Sequence, residues 1–135
     1  MSWIYDGEIV EDIGNYIGFV YIITNLSNQK KYIGKKNFYF SKTKQVKGKK
    51  KRYKVESDWK KYYGSSDQLN EDVQLFGEEN FKREIIRFCS SKGEMTYFEA
   101  KYQFEYGVLE NDKWYNTWIM CKIRKNHLTF LKKTV

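Results

Sequence analysis

The chain has no proline, one histidine (His127) and two cysteines in 135 residues. With no proline, no repeat and no linker-like stretch, nothing divides it, and its length suits a single domain (1–135) with a core of its own. One histidine and two cysteines, Cys89 and Cys121, cannot complete a four-ligand zinc site, and their spacing matches no zinc motif. No apolar run approaches the roughly 18 residues of a membrane-crossing helix, so no membrane partner is expected. The start, Met1-Ser2-Trp3-Ile4, lacks the basic lead and apolar core of a secretory signal. The expected compartment is therefore the cytoplasm, with thiols reduced. Cys89, at the end of an apolar run, reads as a small core residue.

Aromatic residues and basic charge are abundant instead. Twelve Tyr, nine Phe and four Trp within a 41% hydrophobic composition belong to a folded protein. The net charge is +8, and its distribution says more than its size. Between Lys35 and Lys61 stand twelve Lys/Arg and two acids, a local balance of +10, which leaves −2 for the rest; residues 1–17 carry four acids and no base. Charge concentrated in this way is the footprint of a polyanion partner, most often nucleic acid, although a solvated lysine loop would read the same. Phe38, Tyr39, Phe40 and Tyr53 interleave the cations, as suits backbone tracking with stacking. Lys42, Lys44, Lys49, Lys50, Lys51, Arg52, Lys60 and Lys61 are the candidate binding residues. Most are lysines, which predicts a grip on phosphate with little sequence discrimination.

Two β-rich runs, Gly18–Asn25 and Lys31–Lys36, read as an antiparallel hairpin. A turn centred between Leu26 and Ser27 would set Tyr21 opposite Tyr32, with both phenols on one face. Cross-strand aromatic pairs are also an ordinary source of sheet stability. Val46-Lys47-Gly48 turns a second, extended excursion. Ser57 reads as the cap of a short helix through Tyr63, ended by Gly64, and Ser65 with Gln68 as a capping box for a helix with Leu69, Val73 and Phe76 on its stripe. Phe81–Cys89 reads as a strand. Ser91 and Glu94 form another capping box before a helix over Lys92–Tyr106, stopped at Gly107. The order β-β-α-α-β-α predicts an α+β fold, a small three-stranded antiparallel sheet flanked by helices. On the last helix, Glu99 lies beside the Met95/Phe98 stripe and needs a lysine or a cation as partner. Asn116 alone reads as a turn residue.

Phe19-Val20-Tyr21, Ile23-Thr24-Asn25 and the unchanged triplet Tyr32-Ile33-Gly34 resemble the paired signature of the GIY-YIG nuclease superfamily. Tyr97-Phe98-Glu99 and Tyr115-Asn116 follow at suitable intervals, so the resemblance spans about residues 18–117, with a basic insertion at about 35–56. It implies a phosphodiester-cleaving endonuclease acting on double-stranded DNA with Mg2+ or Mn2+. Glu99 would hold the metal, and Tyr21 would act as general base or proton relay. Lys35 or a neighbour would lower that phenol's pKa, Tyr32 would hold water or phosphate, and Asn116 would order the site. The family's helical arginine has no counterpart here; Arg52, Lys60 or Lys61 is left to replace it, and Tyr62 or Tyr63 to supply the helical hydroxyl. The run Trp59–Ser66, with Asn80-Phe81, further resembles free-standing homing-type endonucleases of large tailed phages, which would place the protein in a host cytoplasm. About twenty residues follow Asn116. Recognition is thus expected from the basic excursion and from the stretch Lys122–Lys133, or from dimerisation, which would also permit double-strand cleavage. A non-catalytic nucleic-acid-binding module, or a decayed relative acting as inhibitor or partner, are the alternatives.

Overall fold

The computed structural model describes residues 2–120 together with Lys122, Lys125, His127 and Leu128. Cys121, Arg124 and most of the basic stretch to Lys133 lie outside the described residues. The fold is α+β, but its sheet is larger than three strands and mixed. Strands β1 (Trp3–Tyr5), β2 (Glu8–Ile9), β3 (Gly18–Asn25), β4 (Lys31–Asn37) and β7 (Phe81–Cys89) lie in the order β2-β1-β7-β3-β4. The β1–β7 pair is parallel and the other pairs are antiparallel. Strands of two and three residues are too short to show an alternation, which is why β1 and β2 left no trace in the sequence pattern. The basic excursion folds as a separate two-stranded sheet of β5 (Tyr39–Val46) and β6 (Lys49–Glu56). Lys47 and Gly48, with φ of 51° and 76°, make its two-residue turn, a backbone that matches the twist of the flanking strands.

Helices α1 (Asp67–Phe76) and α2 (Lys92–Glu105) cover opposite faces of the large sheet. Phe19, Tyr21 and Ile23 of β3 pack with Trp3, Trp59, Leu69 and Val73 on the α1 side; Val20 packs with Met95 and Phe98 on the α2 side. Because β3 is covered on both faces, it reads as a nearly unbroken apolar run. A bulge in β7 lets Val20 pair with Arg87 while Tyr21 pairs with Ile85. The extra residue reverses the facing of the strand's end: Phe81 and Ile85 belong to the α1-side core, and Cys89 to the α2-side core, buried as expected.

The first expected helix is absent as such. Trp59–Lys61 form a single 3-10 turn, and Ser57 serves the root of the β5–β6 hairpin, its Oγ donating to the Asn37 carbonyl (2.6 Å) and accepting from the Trp59 amide (3.2 Å). Buried Arg83 fastens this turn by donating to the carbonyls of Lys60 (3.0 Å) and Tyr62 (2.8 Å). The cap of α1 is Ser66, not Ser65, and α2 is capped by Ser91 but ends at Glu105.

The β3–β4 register also differs from expectation by two residues. Tyr21 faces Gly34, and Tyr32 faces Ile23. The buried Asn25 causes this: its Oδ1 accepts from the Ser27 amide (2.9 Å), which lengthens the loop to Leu26–Lys30. A shift of two leaves every side chain on its expected face, so the two phenols become diagonal neighbours with ring centroids 6.2 Å apart.

Candidate active site at the edge of the sheet

Strand β4 is an edge strand, and its outward backbone groups need partners. The segment after α2 provides them in succession. The Lys31 amide donates to the Lys113 carbonyl (2.9 Å), and the Tyr115 amide donates to the Lys31 carbonyl (2.7 Å). One step along, the Asn116 side chain replaces backbone. Its Oδ1 accepts from the Ile33 amide (3.0 Å), and its Nδ2 donates to the Ile33 carbonyl (2.8 Å), which also accepts from Gln103 Nε2 (3.0 Å). Asn116 is thus buried and clamps the middle of the Tyr32-Ile33-Gly34 triplet. Tyr115 secures the segment from the other side, its hydroxyl donating to Asp72 Oδ2 (2.6 Å) and accepting from Asn25 Nδ2 (3.1 Å). Burial, with Asp72 adding, pushes that phenol up to about 12.

Beyond this edge opens a cleft of about 570 Å³, lined among others by Tyr32, Lys35, Glu99 and Asn116. Glu99 comes from α2 and Tyr32 from the α1-facing side of β4, so the two meet only where the strand ends the sheet. The Tyr32 hydroxyl shares a hydrogen bond with Ser65 Oγ (2.8 Å), and burial raises its pKa while Ser65 partly offsets this. Lys35 Nζ donates to Thr96 Oγ1 (3.0 Å), one helical turn before Glu99. Burial raises the Glu99 pKa, and the Lys35 ammonium and backbone amide pull it back in part.

Tyr21 stands behind this front. It is fully buried against Trp3, Phe19, Tyr32 and Tyr62, and its hydroxyl has the Tyr62 side chain near it as a polar neighbour, in poor hydrogen-bond geometry. Burial raises its pKa well above the usual phenol value, and Tyr62, Tyr32 and Glu99 raise it further. The cation expected to lower it is elsewhere: Lys35 lies with Glu99, and Lys36 sits over the Tyr62 ring (4.0 Å) while paired with Asp58 (2.6 Å). A Cβ on Gly34 would run into the Tyr21 hydroxyl and crowd the Tyr32 ring, so the glycine of the triplet exists to let two phenols pack across it.

Of the candidate residues, the structure brings Tyr32, Lys35, Glu99 and Asn116 together, with Tyr21 and Tyr62 behind them. Lys60 and Lys61 are exposed on the 3-10 turn and do not line the cleft; Lys42, Lys44, Lys49, Lys50, Lys51 and Arg52 are exposed on the β5–β6 hairpin, apart from it. Of the candidate cations, Lys35 is the one that lines the cleft. Sequence reasoning missed Ser65, taken for a cap, and Gln103, whose spacing of four from Glu99 puts both on one helix face. It also missed Trp118 and Met120, which line the cleft while more than half exposed.

No three His, Cys, Asp or Glu side chains converge anywhere among the described residues. Two carboxylates, Glu99 and Asp67, line the open cleft, and such a donor set fits Mg2+ or Mn2+, which keep most of their water and take one or two carboxylates plus substrate phosphate.

The family model described as "Putative endonuclease segE, GIY-YIG domain" matches residues 3–119. The chain belongs to this GIY-YIG endonuclease family. No curated protein and no solved structure gives a significant match. Among the described residues, the matched span holds the seven strands, both helices and every residue lining the cleft except Met120, Glu99 and Asn116 included. No helix among the described residues is long and apolar enough to cross a membrane.

Proposed function

We propose that this GIY-YIG protein is a divalent-metal-dependent endonuclease of the free-standing homing type, which hydrolyses phosphodiester bonds in double-stranded DNA. The observation that carries this reading is the convergence of the Tyr32 hydroxyl, Lys35 ammonium, Glu99 carboxylate and Asn116 amide on one cleft, in a chain of an endonuclease family. Glu99 would hold Mg2+ or Mn2+, which when bound would supply charge neutralisation at phosphorus and at the leaving oxygen. Lys35 receives a non-bridging phosphate oxygen as a point charge. Tyr32 orients the attacking water or the phosphate by hydrogen bonding, itself positioned by Ser65. Asn116 acts through the backbone, fixing the Ile33 peptide so that Tyr32 and Lys35 flank the cleft at constant spacing.

Tyr21 enters this scheme as a neutral phenol. Its environment holds the proton on, so it backs Tyr32 and Tyr62 from behind the cleft rather than starting the reaction as a phenolate. One cleft per chain cuts one strand per encounter, and a double-strand break calls for a second copy or a second visit. Supercoiled plasmid incubated with the protein in Mg2+ or Mn2+ should be nicked, and EDTA should stop it. Plasmid left intact across both metals and several DNA sources would end the nuclease reading and leave a binding module.

A further inference from the structure

The β5–β6 hairpin sorts its side chains by chemistry in a way the charge count conceals. Its register pairs Ser41 with Lys54, Thr43 with Arg52 and Gln45 with Lys50 on one face. The alternate pairs, Phe40 with Val55, Lys42 with Tyr53, Lys44 with Lys51 and Val46 with Lys49, fill the other. The second face is a lysine face on aromatic stems: Lys44 sits over the Tyr53 ring (5.4 Å), and Lys44 and Lys51 stand directly opposite one another. Like charges in that position destabilise a free hairpin and are relieved by an anion between them. The first face has a different character. Beyond the Tyr39–Glu56 pair at its root, where Lys54 sits over the Tyr39 ring (5.9 Å), each cross-strand pair on this face sets a neutral hydrogen-bonding side chain against a cation, and at its centre is Arg52, the hairpin's one arginine.

Arginine and glutamine are the side chains that grip base edges with two hydrogen bonds, Arg on guanine and Gln on adenine, and Ser and Thr accept either partner. Lysine meets phosphate as a point charge and, against guanine, lacks the planar fork of arginine. The ribbon also has the right shape. It is two strands wide and eight residues long on each side, about 26 Å, and the major groove, about 12 Å wide, admits a two-stranded β-ribbon. Residues 40–45 and 49–54 are exposed, so neither face is occupied by the rest of the fold. At its root, Lys36 bridges the Phe40 ring (5.0 Å) and the Tyr62 ring (4.0 Å), which ties the ribbon to the backing of the cleft.

We infer that the β5–β6 hairpin is a major-groove reading arm. Thr43, Gln45 and Arg52 contact base edges and set sequence preference, while Lys42, Lys44, Lys49 and Lys51 reach the phosphates along the groove. The inference rests on the proposed DNA substrate but not on cleavage, and it replaces the expectation of a grip without discrimination.

The test is a binding selection from a randomised duplex pool, using full-length protein carrying Glu99→Ala so that no cutting interferes. The unsubstituted hairpin should enrich a short motif containing a guanine. Arg52→Lys, which keeps the charge, should lower the preference at that position by about tenfold or more. It should leave the salt slope unchanged. Lys44→Gln with Lys51→Gln should keep the motif, weaken binding to every sequence and reduce the salt slope by about 2. Replacing the preferred guanine with 7-deazaguanine removes the major-groove N7 acceptor and should reproduce the Arg52→Lys loss. Thermal unfolding of each variant identifies any that fail to fold, and Gln45→Ala supplies a second reading-face substitution. A bound pool without a motif, a motif indifferent to both Arg52→Lys and Gln45→Ala, indifference to 7-deazaguanine, or preference for single strands over duplex would each overturn the assignment. Absence of plasmid cleavage by the wild-type protein would sink the nuclease reading while leaving this one standing.

Discussion

Strand β4 is the edge of a five-stranded sheet and the β5–β6 hairpin is a sheet made only of edges, and the chain treats the two in opposite ways. Along β4, the outward groups of Lys31 and Ile33 are met by residues far along the chain, through Lys113, Tyr115, Asn116 and Gln103. Among the described residues the hairpin receives no such cover and sets Lys44 against Lys51 in water. A site that must hold groups at fixed distances is built where many parts of the chain converge; a surface that must meet a long polyanion is built where few do. The first should fail by loss of geometry, and the second by loss of charge.

The largest effect should come from Glu99→Ala. Cleavage should disappear while affinity for duplex DNA stays close to wild type, as gel assays of nicking and binding on one preparation would show. A variant that still nicks plasmid normally would remove Glu99 from the site and dissolve the contrast. Next comes Asn116→Ala, which strips both polar groups of Ile33 of a partner. Two buried hydrogen bonds at about 1 kcal/mol each suggest a loss of about 2 kcal/mol by denaturant titration, together with most of the activity. Equal stability but lost activity would mean that Asn116 touches substrate instead. Gly34→Ala should cost a similar 1–3 kcal/mol by overpacking against Tyr21 and Tyr32.

The hairpin should answer differently. Neutralising Lys49, Lys50, Lys51 and Arg52 together should leave the unfolding midpoint nearly unchanged. The slope of log affinity against log salt should flatten by about 2, from the phosphate contacts of Lys49 and Lys51, while Arg52 takes the sequence preference with it. Unchanged slope and affinity would reduce the segment to a solvated loop.

The smallest effect concerns pH. Glu99 has a raised folded-state pKa, so the folded protein holds its proton to higher pH than the unfolded chain does. Without metal, this carboxylate therefore subtracts stability progressively as pH rises from the unfolded value through the raised one, and Glu99→Gln should be slightly more stable than wild type at neutral pH. A proton also competes with metal for the same oxygens, so Mn2+ affinity should decline on acidification at a higher pH than for an ordinary glutamate. Titration calorimetry across pH would detect a normal carboxylate, which would contradict the burial.

Much of this arrangement was legible in the residues. The tyrosine faces, the turn at Lys47-Gly48 and the capped helix bearing Glu99 follow from period, caps and spacing, which are local signals; Asn116, which alone reads as a turn residue, came only with the family resemblance. What escaped is non-local. The pairing of β1 with β7 depends on residues some eighty positions apart, as Trp3 with Arg83. The β3–β4 register turned on the side chain of Asn25, bonded to Tyr115 across the fold. Tyr21 looked like a base awaiting a cation because sequence shows neighbours along the chain, not that Lys35 faces the other side of the sheet. The two faces of the hairpin were hidden for the same reason, since only register assigns Arg52 to Thr43 and Lys51 to Lys44.

The clamp of Asn116 on Ile33 also has a consequence in time. Synthesis runs from the N-terminus, so Tyr32 and Lys35 leave the ribosome long before the residue that fixes the peptide between them. The hairpin's partners all lie between Tyr39 and Glu56, upstream of Asn116. A growing chain therefore holds every residue of the basic hairpin before it can order its cleft, which waits until residue 116 has emerged and docked. On the proposed function that order is a safety catch: a product truncated before residue 116 would lack the fixed edge on which cutting depends.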